Sequence, residues 1–528
     1  MKKADIVIKG GAIYTVNAAG DVAEAVAVQD NCIVFVGSEA QAKQYIGPST
    51  RVIELHGGMA LPGFIDCHTH PCGHIETLYS VDIYGKESVD EYLSTLKQYL
   101  ADHPDLKFIY GFGWAFDKFD ENGPQKEILD EVSEDIPILL YDEGFHSLWV
   151  NSKALKNVGI TAETYLDQAD IIRREGNEPT GVINELAILS VVSTLPDYEV
   201  DQFVDNFVSF QKLVHQYGVT TTFDACIYPK DGYPGFAGNN ALLAYKQCAE
   251  RSMLSLRYPA SIVIDEEDYK DDPSMEALLE KYRDYNRCEM FHIDAVKIYV
   301  DYWTEERLCK LAILADKLGY RLFLHALKAE ETKRAIAACR AAYEANGGKC
   351  GRHTIAHVGV VDREDIPAFK ELGINSVILP YWINCVEEFY GRTAEKLQNG
   401  DLDLTRTFID QEIAVASGTA YPAVTNCPRP INGIQMGMTR RGIDAGPEEG
   451  FAPPASERAT LDQMIRSFTI QAAYVNGMEN ITGSIETGKR ADLVLLDKDL
   501  RAMSPDEIHR ASEMMTIFDG QIVYERES

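Results

Sequence analysis

Eight short apolar runs in the middle of the chain constrain its fold more than any other feature: Ala60 to Asp66, Val219 to Cys226, Leu256 to Ile264, Ala295 to Val300, Arg321 to His325, His353 to Val358, Ser376 to Leu379 and Ile413 to Ser417. Each has the length of a buried strand, and the segments between them are too long for hairpin turns. Helical spacing appears there instead: Phe203, Phe207, Phe210, Leu213, Val214 and Tyr217 recur at threes and fours, as one face of a packed helix requires. Strands that alternate with helices run parallel, and this set is predicted to close into a (β/α)8 TIM barrel, an α/β fold. A doubly wound open sheet is the alternative.

At 528 residues the chain exceeds one such core. Its two ends are rich in short β-like runs, Asp5 to Val16, Ala23 to Val28, Cys32 to Gly37 and Arg51 to Leu55 before the barrel, and Met515 to Tyr524 after it. Residues 1–58 and 459–528 are therefore expected to pair into one small β-sandwich, preceded by a helix from Thr460 through Tyr474, with the barrel spanning 59–458. Residues 72–201 are too many for one barrel connection, and they hold strand candidates of their own, Phe108 to Trp114 and Ile136 to Tyr141. They are read as a subdomain inserted after the first barrel strand. Loops at that end of a barrel carry its chemistry, so the insert is expected to shape a substrate pocket, with Trp114 and His146 as candidate lining. A structural, hydrogen-bonded His146 is equally compatible with the sequence.

Composition excludes several partners. A net charge of −32 would repel nucleic acid and anionic membranes. Asp5 and Lys9 interrupt the N-terminal apolar patch before it could form a signal-peptide core, and no apolar run reaches membrane-spanning length. A cytoplasmic protein acting on a small molecule is expected, with a homodimer left open. The 11 cysteines are scattered and lack a Cys-x-x-Cys pair, so they read as reduced interior thiols.

The chemistry starts at Met59 to Pro71, MALPGFIDCHTHP, where an apolar run ends in His68 and His70. In extended chain, residues two apart share a side, so both imidazoles can bind one ion. The string Leu-Pro-Gly-Phe-Ile-Asp-x-His-x-His-Pro resembles the first metal-binding motif of the amidohydrolase superfamily, in the branch called amidohydrolase family 3. Similar signatures recur from Asp142 to Leu155, from Gly181 to Leu186, and in Gly-x-Ile-x-x-Gly-Lys-x-Ala-Asp-Leu from Gly483 to Leu493.

Other candidates lie on the same barrel face. Lys297 falls within the fourth strand candidate, His325 ends the fifth and His357 lies on the sixth, and the C-terminal ends of parallel barrel strands converge. By resemblance, His68 and His70 hold a first divalent ion, and His325 and His357 a second, zinc, manganese or iron. Lys297 bridges them as a catalytic ligand after carboxylation by carbon dioxide, because a protonated lysine has no lone pair and would be repelled by two cations. His353, four residues before His357, is expected to be structural.

The chain departs from the resemblance at its eighth strand. The family motif Gly-Ser-Asp-x-Pro reads Gly418-Thr419-Ala420-Tyr421-Pro422 here, so Ala420 stands where a proton-shuttling aspartate is expected. A silencing substitution, another proton carrier or lost catalysis would each account for it. The reading is a metal-dependent hydrolase in which metal-bound hydroxide attacks a carbonyl carbon, of a non-peptide or cyclic amide. Ring-opening C–C hydrolysis of a cyclic 1,3-dione is one alternative, and a catalytically silent metal- or ligand-binding homologue is the other.

Overall fold

The structure is a computed structural model describing residues 2–120, 123–142, 147–164, 172–184, 188, 191–192, 194–195, 197–228, 238–283, 285, 288–349, 351–385, 402–423, 425–443, 445, 452 and 454–527. Two compact units emerge, one of Met1–Pro71, Phe207–Ile227 and Tyr245–Ser528, the other of Cys72–Asn206 and Tyr228–Ala244.

In the first unit eight parallel strands follow one another in chain order: Phe64–Thr69, Val219–Ile227, Tyr258–Val263, Phe291–Tyr299, Arg321–Ala326, Thr354–His357, Asn375–Ile378 and Val415–Ser417. The eight apolar runs thus become eight strands. The ring is drawn together just past the last one, where Ala420 N–H donates to His68 O at 2.7 Å and His70 N–H to Tyr421 O at 2.8 Å. This nearly closed parallel barrel answers the choice of fold against the open doubly wound sheet. At the opposite strand ends, the Arg321 guanidinium pairs with Asp294 at 2.7 Å and donates to Val475 O at 2.6 Å.

The first run is divided. Met59–Pro62 pairs in the terminal sheet with Leu493–Leu496 and Ile6–Tyr14, and only Phe64–Thr69 joins the barrel. Gly63 is the switch point: a Cβ there would lie 2.4 Å from Thr220 Cγ2, so only glycine lets the second strand approach. The chain ends build one eight-stranded sheet, in the order Gln521–Glu525, Glu513–Phe518, Leu493–Leu496, Met59–Pro62, Ile6–Tyr14, Val22–Gln29, Cys32–Gly37, with Arg51–Glu54 also on Ile6–Tyr14. The two ends, expected to pair into one small β-sandwich, come together in this sheet, and Ile8, Val26, Leu493 and Ile517 from both ends share one core. One strand serves both flanks: pairing of Ile6–Tyr14 with its neighbour slips between Lys9 and Ile13, beside Gly10 at φ +78°, so its first half pairs with Arg51–Glu54 and its second with Met59–Pro62.

The helix expected from Thr460 to Tyr474 is two, Leu461–Ser467 and Ile470–Val475. Thr460 and Gln463 cap the first reciprocally. The break comes where Phe468 O accepts the Ile65 N–H at 2.7 Å, giving its carbonyl to the first barrel strand instead of to the helix. A buried ion pair, Arg257 Nη1 to Asp492 Oδ2 at 2.7 Å, ties the terminal sheet to the barrel.

The second unit carries a six-stranded sheet, in the order Ile172–Glu175, Glu178–Asn184, Ser147–Val150, Ile138–Asp142, Ile109–Trp114 and Val81–Asp82. Both strand candidates of the insert are present in it. The unit also takes in Tyr228–Ala244, which follows the second barrel strand, and Asn240 Nδ2 donates there to Tyr198 O at 2.9 Å. No disulfide joins the described cysteines, and no described helix is long and apolar enough to cross a membrane.

Candidate metal centre

His68, His70, Lys297, His325 and His357 come together at the C-terminal ends of the first, fourth, fifth and sixth barrel strands. His70 follows its strand directly. Ring centroids lie 5.3 Å apart for His68 and His70, 4.8 Å for His68 and His357, and 4.2 Å for His325 and His357. Strand register explains the last pair: Ala326 lies opposite His357, which puts His325 one residue away on the adjoining strand. Lys297 Nζ sits 4.9 Å from the Phe323 ring centroid and 5.1 Å from that of Tyr299.

Burial sets the charge states. It pushes His70 down to about 3, helped by the positive charge of Lys297, and holds His68, His325 and His357 well below the usual histidine range. All four are neutral at neutral pH, with lone pairs available for a metal. Burial likewise lowers the Lys297 ammonium to about 8, opposed by the neighbouring Cys226 thiol.

The residues fit a metal by a direct test. His357 has both ring nitrogens buried without a hydrogen-bond partner, and His68 has Nδ1 in the same state. Each unsatisfied buried polar atom costs about 1–3 kcal/mol, and three at one place mark a position for a ligand that accepts lone pairs. Among the described residues no three His, Cys, Asp or Glu side chains already converge as a closed cage. The imidazoles meet in pairs, and closing on an ion requires ring rotations about the broad terminal torsion of histidine.

The backbone around the site is shaped to hold it. Asp66 accepts from Thr419 Oγ1 at 2.7 Å, Thr419 N–H at 3.0 Å and His68 N–H at 3.2 Å, latching the end of the eighth strand to the first. Burial raises this carboxyl to about 7 against those hydrogen bonds. Gly418 is required by the same contact, since a Cβ would fall 2.6 Å from His68 Cβ and 2.7 Å from His68 N. Gly418→Ala is expected to destabilise the fold by about 1–3 kcal/mol, the usual cost of overpacking, and to lower metal affinity; unchanged chemical denaturation and metal binding would contradict the latch. Left-handed φ values at His357 (+74°), Val358 (+45°) and Ala420 (+56°) cluster here, and for a β-branched residue such as Val358 this is strained backbone of the kind stored at functional sites.

Ala420 is 2% exposed and packs with Leu379 and Trp382, while the Trp382 indole stacks on His357 at 4.5 Å between centroids. The methyl thus sits in an apolar wall beside the imidazoles. His353 has the structural role expected: its Nδ1 accepts from Leu322 N–H at 3.2 Å and its Nε2 faces Asp316 at 3.3 Å, near the starts of the fifth and sixth strands. Trp114 does not line a pocket. It is fully buried in the core of the second unit, against Trp149, with its indole N–H donated to Leu140 O at 2.7 Å. Trp114 was a candidate for pocket lining because the insert follows the first barrel strand, but its side chain fills the core of the second unit instead. His146 lies outside the described residues.

Asp66, Thr419, Trp382 and Tyr299 were not singled out from the sequence. Asp66 stands two residues before His68, Tyr299 two after Lys297 and Thr419 next to Ala420, which are the local signals; Trp382 reaches the site only through strand order.

Known proteins agree with this architecture. A family model described as "Amidohydrolase family" matches residues 51–524. The chain is 26% identical over 549 residues to an N-substituted formamide deformylase of Arthrobacter pascens, covering 99% of this chain and 98% of that one. Its fold is similar to that of an uncharacterized metal-dependent hydrolase from Pyrococcus furiosus, with a TM-score of 0.74, 20% identity, and coverage of 94% of this chain and 99% of that one. It is also similar to an adenosine deaminase from Xanthomonas campestris solved with bound zinc, with a TM-score of 0.60, 14% identity, and coverage of 99% and 93%. With a family match across most of its length, this chain belongs to the amidohydrolase family, and it is a hydrolase by descent.

Proposed function

We propose that the chain is a metal-dependent, cytoplasmic hydrolase that cleaves a C–N bond in a small non-peptide amide or cyclic amide. The observation that carries this reading is the set of buried, unpartnered ring nitrogens on His68 and His357, in a chain similar over its whole length to an N-substituted formamide deformylase. His68 and His70 would hold one divalent ion, His325 and His357 a second, and Lys297 would lie between them. Divalent ions at such a site lower the pKa of a water molecule towards neutrality and polarise the bond under attack.

The chain's own residues prepare the site. The four imidazoles enter neutral, because burial removes their protons. Lys297, lowered to about 8, has a fraction of its amine neutral at pH 7. Once the ammonium has given up a proton, that lone pair can attack carbon dioxide: an N–C bond forms as one C=O π pair moves onto oxygen, and nitrogen loses a second proton, so that with two protons released a cation without a lone pair becomes an anion with two oxygens. Asp66 fixes the His68 backbone, and Phe323 and Tyr299 bound the space around Lys297 Nζ.

The reading is tested by metal analysis of the purified protein followed by product detection on N-substituted formamides, other amides, lactams and cyclic diones. Metal below about one ion per chain after reconstitution would reject it. Metal without turnover of any compound would favour a silent binding homologue.

The apolar setting of Ala420 favours a second reading, ring opening of a cyclic 1,3-dione, whose enolate leaving group needs little protonation. Either way the alanine is suited to its surroundings. Left-handed backbone tolerates aspartate, but a carboxylate there would be buried against Leu379 and Trp382. Ala420→Asp is expected to lower kcat/KM about tenfold, the lower part of the cost of burying an ill-matched polar group. A gain of about 10²-fold, the size of general acid–base help, would show instead that alanine silences this chain.

A further inference from the structure

The two histidine pairs are supported from different parts of the fold. The latch of Asp66 and Thr419 joins the first and eighth strands at His68. The loops behind His325 and His357 rest instead on the start of helix Ala329–Ala345, which follows the fifth strand. We infer that Glu331, in the first turn of that helix, is a positioning residue for the second metal ion, holding His325 and His357 in place through the backbone of their loops; the inference rests on the two-ion reading of the site.

Glu331 is 7% exposed, and its Oε2 accepts the Lys328 N–H at 3.1 Å and the Leu327 N–H at 2.7 Å. The bond to Lys328 is an ordinary cap, since the third residue of a helix commonly reaches back to the residue before its first turn. The bond to Leu327 lies outside the helix and fixes the chain two residues past His325. Leu327 O in turn accepts the Val360 N–H at 2.9 Å, three residues past His357. The buried Thr332 hydroxyl closes the same joint, 3.2 Å from both Lys328 O and Val360 O. Arg334, one turn on from Glu330, donates to Trp303 O in the turn after the strand that carries Lys297.

His357 needs such a support. It and Val358 hold left-handed φ values of +74° and +45°, and backbone of this kind persists only where its surroundings over-determine it. Ala326 is the register partner of His357, so a shift of the chain at Leu327 moves the backbone of both ligands together. A carboxylate suits the place: it is an anion at the positive end of a helix, and one of its oxygens takes two N–H groups. Its other oxygen faces the exposed Lys328 ammonium at 3.3 Å, a pair that solvent screens.

The test is zinc binding by the full-length protein, dialysed against buffered zinc over a range of free concentrations, with bound ions counted per chain. The unsubstituted protein should take two ions. Glu331→Ala should bind the first as tightly and the second about tenfold more weakly or worse, the cost of removing a group that orients metal ligands. Glu331→Gln keeps an oxygen that can accept both N–H groups and should recover most of the second affinity, whereas Glu331→Asp, one methylene too short, should not. A helix cap and nothing more would lower the unfolding midpoint and leave the ratio of the two affinities alone. An unchanged second affinity in Glu331→Ala overturns the inference, and so does an equal weakening of both ions. A single ion per unsubstituted chain also overturns it, since four imidazoles would then serve one ion, but leaves the metal-dependent hydrolase in place. No bound zinc at all rejects both.

Discussion

His357→Ala is expected to cut turnover by about 10³-fold or more and to release at least one metal ion per chain. Polarisation of the scissile bond by a metal is worth several kcal/mol, and each 1.4 kcal/mol is about tenfold in rate. His357 is the sharpest choice because its two ring nitrogens are both buried and unpartnered, so its conservation of a structural hydrogen bond cannot explain a loss. It also lies within 4.8 Å of His68 and 4.2 Å of His325, centroid to centroid. Metal content measured beside kcat/KM decides the matter. A variant that keeps full metal and loses activity would point to a role in substrate contact through the Trp382 stack.

Lys297→Ala is expected to be comparably severe, about 10³-fold in kcat/KM, with loss of the second ion. Here the diagnosis lies in rescue. If Lys297 acts as a carbamate, the alanine variant leaves a cavity beside Phe323 and Tyr299 that acetate, propionate or bicarbonate can enter, and these should restore part of the metal and of the turnover. Methylamine or another small amine should restore neither. Rescue by amines in place of carboxylates would mean that the lysine works as a cation or a base. Retention of both ions in the variant would show that it bridges nothing.

Much of the barrel was legible because strands buried on both faces read as continuous apolar runs; all eight runs became strands, and the helical stripe of Phe203, Phe207, Phe210 and Val214 falls within helix Val200–His215. The placement of the candidate ligands was legible for a related reason: His68 and His70 follow a run, His325 ends one, Lys297 and His357 lie within theirs, and parallel strands open on one face. What could not be read depended on distant contacts. Gly63 looks like part of one apolar run, and only the approach of Thr220 from the second strand shows that the run changes sheets there. Thr419 and Asp66 are separated by 353 residues, and nothing local pairs them. Trp114 shows the converse error, since an aromatic residue at a strand end reads alike whether it lines a pocket or fills a core. Nor does anything local show that one strand, Ile6–Tyr14, serves both flanks of the terminal sheet through a register slip.

The claim on which the rest depends is that the imidazoles of His68, His70, His325 and His357 bind divalent metal. Anomalous diffraction above the zinc edge, from crystals of the zinc-reconstituted protein, tests it most directly. Peaks about 2.0–2.1 Å from nitrogens of these four rings, the usual zinc–imidazole distance, with density continuing from Lys297 Nζ between them, are the predicted result. Absence of any peak at the strand ends, with the ring nitrogens of His68 and His357 hydrogen-bonded to water, would contradict it.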